Sequence, residues 1–488
     1  MAKSEMISII SNLFRLVFVI TIRGTLLSYI SMTLANDKKR IKKRAIFAKN
    51  LTKALQIMGP SFIKFGQFLS TRPDLIGIDI AEALCLLQDK LPPFSKKQFL
   101  KTLTKELGKS PDEIYKSIDY TPIAAASIAQ VHKAVTVDGS EVAVKVLRPN
   151  IERLFERDIK LFSFIAKLIT ILVPSLNRLR LVDAVYTMSK SMNMELDLRI
   201  EAASADQLLQ NTIEDSNVYV PKVYWEFTTK RVLTVEWITG IPICNKDDLI
   251  KSGIDIDVVI KNLSISFFNQ AFRSGFFHAD LHPGNILVTE GGNIAFVDFG
   301  IMGHLDKKNK LFIAHMLYSF INRDYKKVSD LHFEIGYIPE TESREHFALA
   351  CRSIGEPIIG VDSNKISIGL LMKQLFSVSH NFNMPMQPQL ILLQKTIVTV
   401  EGICASLDST VNIWKVIEPW IKEWGKSNFA IHKKIYNSYE KSSDLLYEIN
   451  SIVRKTIDSR ITPKNESSCL KYIYIAAIAF IAGILIHL

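Results

Sequence analysis

Apolar and polar positions alternate along this chain with two different periods, and the switch between them marks its organisation. Over residues 45–120 apolar side chains recur at helical spacing, interrupted by turn pairs at Gly59-Pro60, Arg72-Pro73 and Pro92-Pro93. Ser110-Pro111-Asp112-Glu113 predicts another helix start, with serine as N-cap and proline in the first helical position. From Ser127 to Leu147 the period changes to that of strands. Residues 131–137 and 141–147 flank Asp138-Gly139, a pair suited to a hairpin turn. A long helical stretch over 151–211 follows, with a break expected at Pro174. Strands return at 218–223 and 231–237. After Gly240 the pattern is mainly helical, except for a second small hairpin, 286–288 with 294–297, around Gly291-Gly292. There is no internal repeat and no low-complexity tract.

The two ends depart from this pattern. Residues 472–488 run about 17 positions without a charge, just the length a spanning helix needs. Arg454, Lys455, Arg460, Lys464 and Lys471 precede them, so the positive-inside rule keeps the body on the cytosolic side. Residues 6–35 lack acidic side chains and are mostly apolar, but Arg15 and Arg23 interrupt them. That predicts a helix lying in the interface rather than across it. The basic run Lys38-Lys39-Arg40-Ile41-Lys42-Lys43-Arg44 suits anionic lipid heads, and an ordinary solvated face equally well. No small-residue cleavage site follows a proper apolar core, which argues against a signal peptide.

Composition sharpens the picture modestly. A chain of 488 residues can bury one or two full cores. Its 48% apolar content and mean hydropathy of +0.15 are high for a purely soluble protein, in keeping with a lipid-facing portion. A net charge of +11 and a pI near 9.2 favour an anionic partner: a membrane surface, a nucleotide or a nucleic acid. Nucleic acid is set aside, because no finger, helix-turn-helix or RNA-binding signature accompanies the basic residues. Cys85, Cys244, Cys351, Cys404 and Cys469 lie far apart with no zinc-type spacing, which predicts a reduced body.

The candidate chemistry is phosphoryl transfer. Asp280 and Asn285 stand five residues apart, the spacing at which a kinase catalytic loop carries its acceptor-orienting aspartate and a metal-binding asparagine. Asp298-Phe299-Gly300 begins thirteen residues after Asn285, and the small hairpin would return its carboxylate beside that asparagine. Upstream, Val142-Ala-Val-Lys145 matches the strand whose lysine pairs nucleotide phosphates. In this order the motifs predict ATP or ADP as ligand, Mg2+ on Asn285 and Asp298, and Asp280 as the catalytic residue. They also place a strand-rich smaller unit before a helix-rich larger one, as in a two-lobed kinase-like domain. Lys145 needs a carboxylate, and Glu201 is the candidate. At helical pitch Asp197 and Glu201 share a face, with Glu195 rotated away towards another partner. Glu236 and Ile238, where the second strand set gives way to the helical half, join the nucleotide-binding set. His278 and His282 flank Asp280, but two histidines without a third ligand make a poor zinc site, so both are read as structural.

One segment breaks the pattern. Kinases cover the phosphates with Gly-x-Gly-x-x-Gly, because bare glycine backbone approaches phosphate closely. The matching segment here is Ile123, Ala124, Ala125, Ala126, Ser127, Ile128, Ala129, Gln130 and Val131. Alanine lacks glycine's access to positive φ, so a stiffer loop and a different phosphate pose are expected.

With these motifs the chain resembles the UbiB family of atypical kinase-like proteins, which act in ubiquinone biosynthesis, over about residues 45–440. The landmarks are Lys64-Phe65-Gly66-Gln67, similar to a Lys-x-Gly-Gln signature; the alanine loop; Glu195-Leu196-Asp197, similar to a Glu-x-Asp element; and the loop from His278 to Asn285. Lys395-Thr396, Glu401-Gly402 and Leu407-Asp408 resemble a later family segment. The resemblance implies an α+β, mainly helical, two-lobed kinase-like fold. An interfacial segment (1–44) and a helical extension (45–120) would precede the smaller lobe (121–237) and the larger lobe (238–440). A basic linker (441–470) and a transmembrane helix (471–488) would follow. It also implies that the Lys-x-Gly-Gln helices cover the cleft where a kinase binds peptide, and that Lys64 contacts Glu195. Orthodox protein phosphorylation then looks obstructed. ATP hydrolysis coupled to membrane-bound quinone precursors becomes the expectation, with anionic lipid and ubiquinone-pathway proteins as partners. The membrane would be the bacterial inner membrane, or the mitochondrial inner membrane in a eukaryote. The rival classes are a ring-hydroxylase component, for which the chain has no cofactor motif, and a nucleotide-switched scaffold.

Overall fold

Gly59, at φ +104°, lets the chain turn between α1 (Asp37–Met58) and α2 (Pro60–Ser70), where proline is pre-set for the first helical position. In the computed structural model residues 37–420 are described. The exceptions are most of 71–90, 173–179, 360–366, and positions 380–381, 385–386, 412, 414–415 and 418. The predicted interfacial segment before residue 37, the linker and the terminal apolar span therefore lie outside the described residues.

Helix α3 (Lys96–Leu107) is bounded by a Ser95–Gln98 capping box and by Gly108 in the left-handed region at φ +67°. Ser110 then caps the predicted start at Pro111, but only one helical turn follows. The chain enters strand β1 (Tyr115–Ile118) instead, a correction to the helical reading of 45–120. Four residues are too few to display a period, and β1 exists because its partner β3 is there to pair with it. Strands β2 (Ala124–Ala125), β3 (Ala129–Thr136) and β4 (Glu141–Leu147) follow, with the β3–β4 turn at Gly139 (φ +91°) as expected.

Helix α4 (Ile151–Leu172) precedes α5 (Leu181–Glu195) and α6 (Leu198–Asn211). Pro174 lies outside the described residues. A second break, at Leu196-Asp197, was not expected, since no glycine or proline marks it. Strand β5 is only Val218–Tyr219, shorter than the 218–223 expected. Pro221 has no N–H to donate, and beyond it only an isolated bridge, Val223 to Val235, continues the pairing. Strand β6 (Val232–Glu236) completes the first sheet, in the order β1-β3-β4-β6 with β2 on β3.

One face of that sheet is core. Ala134, Val142, Val144, Val146 and Val232 pack on Phe99 and Leu103 of α3. The pleat sends alternate residues the other way, and there Val131, Lys145 and Leu233 stand side by side in register.

The larger lobe begins with β7 (Ile241–Pro242). Helix α7 (Ile256–Phe268) continues as one π-type turn to Ser274 and ends at Gly275, φ +76°. Short strands β8 (Phe276–His278), β9 (Ile286–Val288), β10 (Ile294–Phe296) and β11 (Met302–His304) then carry the catalytic segment. They form two sheets, β5-β10-β9-β7 and β11-β8, so β5 pairs with the larger lobe rather than the smaller. Helices Lys307–Ile321, Tyr325–Glu334, Arg344–Ile359, Ile368–Ser379 and α8 (Pro388–Leu407) complete it. Within α8, Gln389–Leu407 is long and apolar enough to cross a membrane by length and composition. However, 44% of that stretch is buried in the protein and α8 packs on α7 and β11, as a core helix does.

Candidate functional site

Lys145 projects from β4 between two carboxylates. Its Nζ donates to Glu201 Oε1 at 2.7 Å and to Asp298 Oδ1 at 3.2 Å. Glu201 comes from the first turn of α6, which packs against β6 and hangs on the Lys230 carbonyl through the Leu198 N–H. Burial pulls the ammonium towards neutrality, but Asp298 and Glu201 outweigh it and hold its pKa above that of an ordinary lysine. The lysine is therefore a fixed cation, held between two partners of opposite sign.

The catalytic segment is built by short-range hydrogen bonds. Asn285 N donates to the His282 carbonyl at 2.8 Å, and Asn285 Nδ2 to the Asp280 carbonyl at 3.1 Å, so both ends of the Asp-x-x-x-x-Asn loop are tied together. Phe296 pairs with Ile286 across the small hairpin, and Val297 N donates to the Asn285 carbonyl at 2.9 Å. The hairpin thus returns Asp298 to Asn285. Asp298 itself adopts φ +67°, a left-handed conformation that costs energy for a non-glycine residue and is typical of functional sites. His278, fully buried, bonds the Asp298 carbonyl through Nε2 at 2.7 Å and accepts the Asp280 N–H through Nδ1 at 3.2 Å. Burial lowers its pKa, against the opposing pull of Asp298 and Asp280. Both its nitrogens are engaged, and His282 Nδ1 accepts from Gly284 N. Local packing is what these histidines do.

The alanine loop is a tight hairpin end. Ala124 and Ala125 pair with Val131 and Gln130, and Ala126 N donates to the Ala129 carbonyl at 2.8 Å. Arg148, a residue that sequence reasoning passed over, grips it from behind. Its Nε and Nη2 both donate to the Ala126 carbonyl, and Nη2 also reaches the Leu91 carbonyl. Arg148 N holds the Ile128 carbonyl at 2.8 Å. Ser127 is wholly buried and its hydroxyl has no partner, while Ile123 is exposed. The strand pleat decides how two of the expected nucleotide residues face. Gln130 and Glu236 lie on the opposite sheet face from Val131 and Lys145, so only their backbones can serve a ligand beside Lys145. Gln130 bonds His132 and the Phe94 N–H, and Glu236 accepts from Tyr219 and Lys222. Ile238 is buried where the lobes join.

Lys64 of α2 lies 2.7 Å from Glu195 at the end of α5, and its charge also contributes to holding the Asp298 carboxyl down. Gly66, two residues on, lets the leucines pack close to α2, because a Cβ there would sit 2.3 Å from Leu87 Cδ1 and 2.8 Å from Leu55 Cδ1. Gln67 belongs to the same turn, and its carbonyl accepts the Ser70 hydroxyl. Asp197 departs from the expectation that it shares a helical face with Glu201. It is the N-cap of α6, with extended φ −120° and ψ 95°, and its carboxylate takes the Arg199 N–H and guanidinium. A capping residue stands outside the helix, so the i, i+4 relation does not apply.

Lys395 of α8, singled out in the sequence only as part of a later family segment and given no role there, brings its Nζ to 3.1 Å from Asp280 Oδ1. The chain separation is 115 residues, and the available signal was indirect: the catalytic loop carries no cation between Asp280 and Asn285.

Comparisons with known proteins agree with this geometry. Residues 86–332 match the ABC1 atypical kinase-like domain, and residues 351–412 match the UbiB helical domain. A probable protein kinase UbiB of Azotobacter vinelandii is 36% identical over 452 residues, covering 90% of this chain and 84% of the relative. The Aeromonas hydrophila protein of the same name is 38% identical over 413 residues, covering 83% and 76%. Among solved structures, that of Rv3197 with erythromycin from Mycobacterium tuberculosis is 26% identical at a TM-score of 0.50. It covers 72% of this chain and 90% of that one.

Proposed function

The chain belongs to the UbiB family of atypical kinase-like proteins, and on that premise we propose that it is a membrane-tethered, Mg-ATP-dependent ATPase or kinase-like factor supporting ubiquinone biosynthesis, acting on or presenting polyprenylated quinone precursors. One observation carries the nucleotide half of this reading: Lys145 is locked between Glu201 and Asp298 while Asp298 is returned beside Asn285. Asn285 and Asp298 offer hard oxygen donors, which fit Mg2+, an ion bound by one or two carboxylates together with substrate phosphates. When bound, the ion would neutralise charge on the phosphate oxygens. Lys145 would pair with the nucleotide phosphates, and Asp280 would orient the acceptor hydroxyl or water.

Two features favour a lipidic acceptor over a peptide. Helix α2 carries Lys64, paired to Glu195, near enough to Asp298 for its charge to act on that carboxyl, in keeping with the family expectation that these helices cover the peptide cleft. Helices α1, α2, α4 and α5 line a partly open cavity of about 260 Å³ with apolar side chains including Phe62, Phe65, Phe162 and Ile169. Such a cavity suits a prenyl chain. The basic run on α1 and the apolar C-terminal stretch agree with tethering at a membrane.

Deleting the gene in its host and measuring quinone and its precursors tests the pathway. Depletion of quinone with a prenylated intermediate accumulating is expected, and normal quinone with no intermediate would refute it. A separate experiment tests the loop. Glycine at Ala124, Ala125 and Ala126 should tighten ATP and ADP binding by about fivefold per residue, equivalent to about 1 kcal/mol each. Unchanged affinities in a direct binding titration would remove this loop from the nucleotide site.

A further inference from the structure

Phosphoryl transfer is accelerated by fixed positive charge placed where the transferring group passes. The loop from Asp280 to Asn285 contains no lysine or arginine, and His282 is engaged with Gly284. Lys145 is committed to Glu201 and Asp298 at the nucleotide end, and Lys64 to Glu195. The ammonium that faces Asp280 comes from elsewhere: Lys395 Nζ, 3.1 Å from Asp280 Oδ1.

Its delivery is rigid. The next residue, Thr396, is buried and donates to the Ala279 carbonyl at 3.4 Å and to Leu392 at 2.8 Å, so α8 is bolted to the catalytic loop one residue from the ion pair. Leu393, Ile397 and Val400 bury the rest of that helical face. The pair itself is not a buried brace. Lys395 and Asp280 are 42% and 39% exposed, and a pair so open contributes little to stability. A rigid helix therefore presents a solvent-accessible cation at the acceptor end of the site, where its energetic value lies in a ligand rather than in the fold.

We propose that Lys395 is a catalytic cation that contacts the γ-phosphoryl group as it moves towards the acceptor oriented by Asp280. The inference rests on the nucleotide reading above. In the step, the acceptor oxygen forms a bond to the γ-phosphorus. The bond from that phosphorus to the bridging oxygen breaks, and its electron pair remains on ADP. The acceptor proton passes to the Asp280 carboxylate and then to solvent. ATP and R–OH thus give ADP, the phosphorylated acceptor and a proton, with inorganic phosphate as product when R–OH is water. Lys395 stabilises negative charge on the equatorial oxygens throughout and transfers no proton.

The test uses the full-length protein with Lys395→Met and Lys395→Arg. ADP and β,γ-imido-ATP affinities, thermal unfolding, and kcat and KM for ATP are all measured. For Lys395→Met, kcat should fall by roughly 100-fold. The analogue should lose its advantage over ADP by about tenfold, with ADP affinity and melting temperature unchanged, and Lys395→Arg should recover part of both. Turnover equal to or above that of the original protein would overturn the proposal, because Lys395 would then be a bystander or a brake. A parallel loss of ADP binding, analogue binding and melting temperature would also overturn it, in favour of a structural brace. If the nucleotide reading itself were wrong, ATP turnover would be insensitive to Asp298→Asn. The ADP-against-analogue comparison judges Lys395 independently of that result.

Discussion

Lys145→Met is expected to lower ATP turnover by roughly 10³-fold or more and to destabilise the protein by about 3–5 kcal/mol. Both effects come from one arrangement. The lysine side chain is 14% exposed and Glu201 only 8%, so the pair sits where water cannot replace a lost partner. Methionine fills much of the same volume but leaves Glu201 desolvated without a counter-charge. The carboxyl then recovers part of the loss by taking up a proton. This predicts strong non-additivity: Lys145→Met combined with Glu201→Gln should cost much less than the sum of the two single changes. Urea unfolding of the four proteins checks the stability half, and steady-state ATP hydrolysis checks the other. Additive unfolding energies would show that the pair is not a coupled buried unit.

Asp298→Asn should be as damaging to turnover, by roughly 10³-fold or more, and should cost the fold the charge interaction of this carboxylate with Lys145. Asparagine tolerates the left-handed backbone at this position as well as aspartate does, so the φ of +67° can be kept. What disappears is the negative charge that Lys145 faces and that a bound Mg2+ would face under the proposed reading. The same charge sets an acid limit. Burial opposes its ionisation, but Lys145 outweighs burial and holds the carboxyl down at about 2, from an ordinary value of 3.8. For a group whose folded pKa is depressed, the linked stability is fully present above the unfolded value and is lost as pH falls through the folded one. The protein should therefore lose stability between about pH 4 and about pH 2 through this group, and Asp298→Asn should lack that component. Melting temperatures measured across that range for both proteins decide it. Identical acid profiles would remove the Lys145–Asp298 interaction from the account.

The contrast between these two substitutions shows why motif spacing alone was informative. Asp280, Asn285 and Asp298 are connected by bonds that span a few residues and one small hairpin. Their mutual placement is a property of local backbone geometry, and a sequence can encode it without reference to the rest of the molecule. The β3–β4 hairpin around Gly139 is legible for the same reason, and so is Lys145 on its second strand. The turn at Gly59-Pro60 and the helical start at Ser110 belong with them, since turn, cap and proline preferences act over a single turn.

Other features depended on partners that the local pattern does not contain. Strand β1 is four residues long and is a strand only because β3 offers it an edge. The break at Leu196-Asp197 arises where Asp197 leaves helical geometry to cap α6, a choice that intact helical periodicity concealed. Gln130 and Glu236 were assigned to the nucleotide by position, but the register of β3, β4 and β6 turned their side chains to the other face. Arg148 reached the alanine loop, and Lys395 reached Asp280, only once separate elements had packed.

By itself, then, the sequence determined the kinase-like order of elements and the mutual placement of Asp280, Asn285 and Asp298, because short-range hydrogen bonds and turn preferences are local physics. The tertiary structure alone decided which face of a strand meets the ligand and which helix brings a cation to Asp280. Those are contacts between segments far apart in the chain, and they come into being only when packing of the whole body brings the segments together.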